Sequence, residues 1–288
     1  MTVREPSDDR LSRTHQLVAL VRKLSTDPEE RRATGLIVAE GIRLANEALD
    51  SGLAIHQAIV SPRLTREPSG RDLLSRIESA HVPLRRADDK LLESLHDAKT
   101  HQGILMLVKR SPVPHHELTA SAGPLLILVA CGIQDPGNVG ALVRLTDAAG
   151  ADGFLSAAGA DPFGPKAVRA SAGSIFRVPV ARIGDVAELA SVLAGMRSAG
   201  LKIAGAVPRG GVSHHGAVLS ASMALCLGGE GGGLPPFVEE LLDLRLTIPM
   251  SPRVESINVA AAAAVLLFEA AAQRSGQSKP PAPDFSPR

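Results

Sequence analysis

Apolar and polar positions follow two different rhythms along this chain. Short apolar runs recur at Gly35–Ala39, Ala54–Val60, Ile104–Val108, Leu125–Cys131, Ile203–Val207, Met223–Leu227 and Leu244–Ile248. Runs of this kind are the mark of strands buried on both faces, as in a parallel sheet. Between them the apolar positions take helical spacing: near Leu11–Lys23, from Arg43 to about Gly52, over Leu73–Ala80, from Asn138 to about Ala149, over Ala187–Ala199, and in the alanine-rich stretch from Val259 to about Ala272. The alternation predicts an α/β protein.

Two breaks divide the pattern. Residues 1–110 read as a small α/β unit, with Glu40-Gly41 and Gln102-Gly103 punctuating its strands. Residues 111–123, bracketed by Pro112, Pro114 and Pro124, lose all periodicity and are expected to be a linker. Residues 124–274 form a second unit. The tail 275–288 is rich in Ser, Pro and Gly and is expected to be disordered.

Composition then narrows the classes. A chain of 288 residues that is 44% hydrophobic and 21% charged has the profile of a soluble globular protein of about two domains. No apolar run approaches the ~18 residues of a membrane span, and Met1–Asp9 is polar, so no membrane or export segment is expected and a cytoplasmic location is. Cys131 and Cys226 both fall in strand-like runs and read as buried free thiols. The nine histidines fit no zinc pattern, so no metal is expected. Net charge is only +1, which neither demands nor excludes a nucleic-acid partner. With six Phe and neither Trp nor Tyr, an aromatic stacking platform for bases is not expected, and most of any RNA recognition falls to arginine, backbone and shape. The arginines between Arg10 and Arg43 are interleaved with acids; a solvated mixed-charge surface and a phosphate-binding face both remain open there.

The candidate chemistry gathers at strand ends. After the Leu125–Cys131 run comes Asp135-Pro136-Gly137-Asn138-Val139-Gly140, with Arg144 four residues beyond Gly140 on the same helical face. Asn138 is expected to cap this helix, and Gly140 to leave room for Arg144 or a ligand. Lys166 and Arg169 are three apart beside Ser171, a pattern suited to phosphate or ribose contacts. After Met223–Leu227 the chain opens into Gly228-Gly229-Glu230-Gly231-Gly232-Gly233, where backbone N–H groups approach a ligand without Cβ interference. Finally Ile248-Pro249-Met250 ends a strand, and Ser256-Ile257-Asn258 leads into the last helix with Asn258 placed to cap it.

Taken in order and spacing, these three segments resemble the SpoU/TrmH family of RNA ribose 2′-O-methyltransferases, within the SPOUT superfamily. Lys166–Gly173 resembles an intermediate segment of that family, and Glu40-Gly41 with Gln102-Gly103 resembles its N-terminal substrate-binding domain. The resemblance implies a C-terminal trefoil-knotted methyltransferase domain, a smaller N-terminal α/β RNA-binding domain, a homodimer, and S-adenosylmethionine as methyl donor. It implies Gly228, Leu227, Ile248, Met250 and Ile257 as cofactor-binding residues and Asn138, Arg144, Glu230, Ser256 and Asn258 as the catalytic set. Lys166, Arg169 and Ser171 are expected to meet RNA. Large-subunit rRNA is the expected substrate; a tRNA substrate, or a non-catalytic RNA-binding factor on the same scaffold, is the alternative. Departures from the family pattern fall at Gly229, usually Asn or Ser, and at Leu145-Thr146, often Thr-Ala.

A nucleotide-dependent oxidoreductase built on the Gly-x-Gly-x-Gly of the 228–233 loop is the rival from another class. It requires an acid about 20 residues beyond the glycines, where Thr247-Ile248-Pro249-Met250 stand instead.

Overall fold

The structure is a computed structural model that describes residues 10–96 and 101–275. Its first unit comprises α1 (Gln16–Thr26), α2 (Pro28–Thr34), β1 (Leu36–Glu40), α3 (Ile42–Asp50), β2 (Ile55–Val60), α4 (Pro68–Ser79), β3 (Leu84–Arg86), α5 (Asp89–Glu93) and β4 (Ile104–Lys109). The strands form a four-stranded sheet in the order β1-β4-β2-β3.

The second unit follows with β5 (Leu126–Cys131), α6 (Pro136–Ala148), β6 (Gly153–Ala157), α7 (Pro165–Ser171), β7 (Val180–Ile183), α8 (Val186–Ser198), β8 (Lys202–Ala206), β9 (Val212–Ser213), β10 (Met223–Gly228), α9 (Pro236–Glu240), β11 (Leu244–Thr247) and α10 (Val259–Arg274). Its seven strands run β7-β6-β5-β10-β8-β11-β9, every pair parallel. β10 is thus inserted between β5 and β8. The chain leaving β11 then comes back across the sheet so that α10 packs on α6. The expected trefoil would close on this return.

Local chemistry moved several boundaries. α1 starts at Gln16 and not near Leu11, because the His15 ring nitrogen accepts the Leu17 N–H at 3.0 Å and caps the helix. Leu11 instead donates its N–H to the Arg86 carbonyl at 2.8 Å, extending the sheet beside β3. α4 starts at Pro68, earlier than Leu73, with proline in the first turn where its missing N–H costs nothing. α3 begins directly after Gly41, whose φ of 91° turns the chain, and the side-chain oxygen of Gln102 accepts the Ile42 N–H at 2.9 Å. The Glu40-Gly41 and Gln102-Gly103 pairs are therefore neighbours in space.

Residues 111–123 do not behave as a free connector. Val113 donates to the Val180 carbonyl at 2.9 Å, and Leu118, in a 3₁₀ turn (His115–Thr119), is buried among the residues of β5, β6 and α8. The tail expected to be disordered lies, from residue 276, outside the described residues. The two sheets share one continuous apolar core, running from Ile37 and Met106 through Val143 and Val168 to Leu225 and Leu267. Polar groups stitch the same seam. Arg31 directs Nε and Nη2 at one oxygen of Asp161, at 3.0 and 2.7 Å, and both side chains are nearly buried. Arg110 donates to the carbonyls of Ile175 (2.8 Å) and Val178, and Arg177 bridges Glu47 to Asp147.

Candidate active site

Parallel pairing brings the carboxyl ends of the large sheet to one edge, where open α/β sheets bind their ligands. β5 and β10 are neighbours in a register that sets Cys131 opposite Gly228, so the loops leaving them start side by side. Both thiols beneath, Cys131 and Cys226, are free and buried as expected; the neighbouring sulfur and burial push the Cys226 thiol well up. The N-termini of α6 and α10 open onto the same edge.

α6 is capped by Asp135, whose carboxylate accepts the Asn138 N–H at 2.9 Å, and Pro136 occupies the first helical position. This corrects the expectation that Asn138 caps the helix. Proline is favoured at the first position, which moves the cap back to Asp135 and frees the Asn138 side chain. That side chain crosses to the glycine loop, donating from Nδ2 to Glu230 Oε1 at 2.7 Å. Asn258 does cap α10, its Oδ1 accepting from the N–H groups of Ala260 and Ala261 at 2.9 and 3.4 Å. Its Nδ2 donates to Asn138 Oδ1 and to Glu230 Oε1, each at 3.2 Å. Each amide uses its oxygen as acceptor and its nitrogen as donor without conflict. Three segments far apart in sequence thus close into one hydrogen-bonded cluster, and the second oxygen of Glu230 has no hydrogen bond among the described residues.

The other expected residues fall outside this cluster. Arg144 is exposed on α6 and makes no hydrogen bond or ion pair with the described residues; Ser256 is likewise exposed and unbonded in the 248–258 loop. Gly140 does not make room for Arg144. A Cβ there would stand 2.3 Å from the Ala167 carbonyl oxygen, so the glycine exists to let α7 lie against α6. Lys166, at the start of α7, is half exposed and pairs with Asp135 at 2.9 Å. That ammonium, together with the Asn138 N–H, holds the Asp135 carboxyl below its usual range. Arg169 reaches across the seam to the buried Glu40 at 3.3 Å. Ser171 is withdrawn from any RNA: it is fully buried, and its hydroxyl donates to the Val168 carbonyl at 2.7 Å inside its own helix.

The glycine loop is folded back on itself by the pairing of Gly229 with Gly233, whose N–H donates to the Gly229 carbonyl at 3.0 Å. Gly228 is obligatory, since a Cβ would lie 2.0 Å from the Gly233 carbonyl carbon. Around Gly231, Gly232 and Gly233, by contrast, a Cβ would meet nothing within 4 Å. The loop therefore offers exposed backbone to open space. Leu227 is buried beneath it, Ile248 and Met250 are half-buried at the exit of β11, and Ile257 is 39% exposed. A cavity of about 380 Å³ lies beyond, lined by Val207, Pro208, Arg209, Arg245, Glu239 and Glu255. The exit of β8 was not singled out from the sequence, and neither was Asp135, although Pro136 points to it. Among the described residues no group of three or more His, Cys, Asp or Glu is placed to hold a metal ion. No described helix is long and apolar enough to cross a membrane.

Comparison with known proteins places this geometry. Residues 125–268 match the SpoU rRNA Methylase family, and residues 38–114 match the RNA 2′-O ribose methyltransferase substrate binding domain. The chain belongs to the SpoU rRNA methylase family, and so to the methyltransferases its three motifs resemble. Among relatives, it is 33% identical to the 23S rRNA (guanosine(2553)-2′-O)-methyltransferase RlmP of Bacillus subtilis over 89% of this chain and 96% of the relative. It is 26% identical to the 23S rRNA (uridine(2479)-2′-O)-methyltransferase of Streptomyces viridochromogenes over 94% of both. The AdoMet-bound rRNA methyltransferase of Sinorhizobium meliloti superposes with a TM-score of 0.77 at 26% identity, over 93% of this chain and 98% of that one.

Proposed function

We propose that this protein transfers a methyl group from S-adenosylmethionine to a ribose 2′-hydroxyl of large-subunit rRNA. The observation that carries the reading is the Asn138–Glu230–Asn258 cluster, assembled from three separate motifs at the edge where the sheet binds ligands. The relatives' activities on 23S rRNA and the substrate-binding domain support the choice of RNA.

The residues present fit the cofactor. The open glycine rim supplies backbone groups for its polar edges, while Leu227, Ile248, Met250 and Ile257 supply an apolar wall beside Gly228. Bound there, S-adenosylmethionine supplies an electrophilic methyl group on a sulfonium. Asn138 and Asn258 fix the Glu230 carboxylate between two positive helix termini and so set the shape of the glycine loop. Arg144 does not act as a base, because a guanidinium stays protonated at any working pH. It stabilises the oxygen that develops negative charge as the 2′-hydroxyl attacks, and the adjacent phosphate, while the proton leaves to that phosphate or to water. Ser256 lies in the adjoining loop, within the catalytic segment. Lys166, half exposed, can exchange Asp135 for an RNA phosphate, while Arg169 is committed to Glu40 and positions α7 against β1.

A homodimer joined through α10 belongs to the same reading. Val265 and Phe268 are large, exposed and apolar on one face of this helix, at 37% and 49% exposure. Pairing through that face would cover both side chains. The chain then divides into an RNA-binding domain to residue 110, a docked connector over 111–123 and a methyltransferase domain over 124–274, working in the cytoplasm where ribosomes are built.

Calorimetric titration with S-adenosylmethionine and with NAD, repeated on Asn258→Ala, tests the assignment. Micromolar binding of the methyl donor alone, weakened by the substitution, with methyl transfer to 23S rRNA, is expected. Binding of NAD instead would overturn it, and binding of neither by the folded protein would leave only an RNA-binding factor.

A further inference from the structure

On the flank of the four-stranded sheet, far from α6 and α10, a second cavity of about 490 Å³ opens between the end of β2, the start of α4 and β3. The sheet order sets β3 three strand spacings, about 14 Å, from β1, which packs on α7. The floor is apolar, made by Val60, Leu64 and Ala87 with Leu74 at its side. The rim is basic. Arg10 and Arg86 stand side by side there, held by a backbone bridge and by the Leu11 N–H on the Arg86 carbonyl. Both are exposed, and neither guanidinium has a hydrogen bond or ion pair among the described residues. Of the two acids that follow Ala87, Asp89 is balanced by Arg66 at 2.9 Å and by the Arg63 N–H, and Asp88 is turned to the cap of α5, accepting the Leu91 N–H at 2.6 Å. The cavity is therefore apolar below, with two guanidinium groups at its rim that are unpaired among the described residues.

We propose that this cavity captures one unpaired nucleotide of the substrate RNA, with its base on the apolar floor and its phosphates on Arg10 and Arg86. The proposal rests on the reading that the protein acts on RNA, and adds a second contact point remote from the reacting ribose. The volume lies in the range of small-molecule sites. None of the lining residues is aromatic, so the base rests on aliphatic side chains while the guanidinium forks take the flanking phosphates. The Thr65 hydroxyl at the rim donates to the Pro62 carbonyl at 3.2 Å and keeps its lone pairs as acceptors for a base edge. Arg10 precedes the segment that matches the substrate-binding family, so the cavity joins family and non-family residues.

A blocking experiment separates a pocket from a merely positive surface. Thr65 is exposed and both native thiols are buried, so Thr65→Cys introduces one reactive thiol that N-ethylmaleimide alkylates selectively. The unalkylated variant serves as its own folding control. Filter binding to deproteinised 23S rRNA is expected to weaken at least about tenfold on alkylation, the scale of one lost base contact, with S-adenosylmethionine affinity unchanged. The Arg10→Ala/Arg86→Ala double variant is expected to lower the salt slope of RNA binding by about 2. Alkylated protein that binds RNA like the unmodified variant would overturn the pocket, even if the arginine variant binds weakly. Failure of the wild-type protein to bind rRNA at all would remove the proposal together with the functional reading beneath it, and would be seen before any variant is compared.

Discussion

At the seam between the two sheets, Arg31 lays its guanidinium on Asp161, Arg110 reaches two carbonyls and Arg177 joins Glu47 to Asp147. At the open surfaces, Arg144, Arg10 and Arg86 hold the same group in solvent with no hydrogen bond or ion pair among the described residues. One residue type thus does two jobs. Where the carboxylates and carbonyls are built in, the guanidinium fastens domains. Where they are not, its charge is left for an anion that arrives from outside. The presence of a built-in partner decides which job is done: Arg177 is paired although its side chain is 45% exposed, while an exposed guanidinium with no such partner is solvated until a phosphate replaces water.

Substitutions test this contrast. The largest effect is expected at Arg31→Ala, which leaves the nearly buried Asp161 with only Arg182 at 3.9 Å and the Phe163 N–H at 3.1 Å; urea unfolding should report a loss of about 3 kcal/mol. Arg144→Ala should do the reverse, leaving unfolding within about 0.5 kcal/mol of wild type. Its single-turnover methyl transfer should fall by about 10²–10³-fold, or ~2.7–4 kcal/mol of transition-state stabilisation. Arg144→Lys sharpens this result: considerable retained rate means that charge alone suffices, and near-total loss means that the planar fork is needed. Gly140→Ala should cost about 1–3 kcal/mol of stability by pushing α7 off α6, with no direct effect on charge.

The smallest effect is expected at Asp135→Ala, about 1 kcal/mol for a lost helix cap. It carries a pH signature. The Lys166 ammonium and the Asn138 N–H hold the folded pKa of Asp135 below the ordinary carboxylate range, so the unfolded chain binds its proton first. The cap's contribution is therefore full above that range and is lost as pH falls through the lowered folded pKa. Wild type and variant should converge in stability only in acid.

Much of this was legible in the sequence, and the failures have physical causes. The β5, β10 and α10 segments were readable because continuous apolar runs and an alanine-rich helix leave few alternatives. Asn258 was readable as a cap because it directly precedes α10. Asn138 was misplaced because Asp and Asn are equally good caps, and only the position of Pro136 chooses between them. Gly140 and Ser171 were misread for one reason: spacing tells which residues share a helix face, but not what lies against that face. Both turn towards packed neighbours, Gly140 towards α7. The arginine-rimmed cavity was invisible because Arg10 and Arg86 are distant in sequence and are joined only by a strand bridge.

The Asn258 amide has a consequence for the order in which the protein becomes competent. One face of the group ends a helix and the other ties two earlier segments together. It stands on the loop between β11 and α10, after the other two members of the cluster. During synthesis the substrate-binding domain and most of the large sheet emerge first, while Asn138 and Glu230 still lack the amide that bridges them. The cluster therefore cannot close until the segment beyond β11 has been made and α10 has folded onto α6. One amide makes the helix end and the three-way bond form together, so that neither is complete without the other.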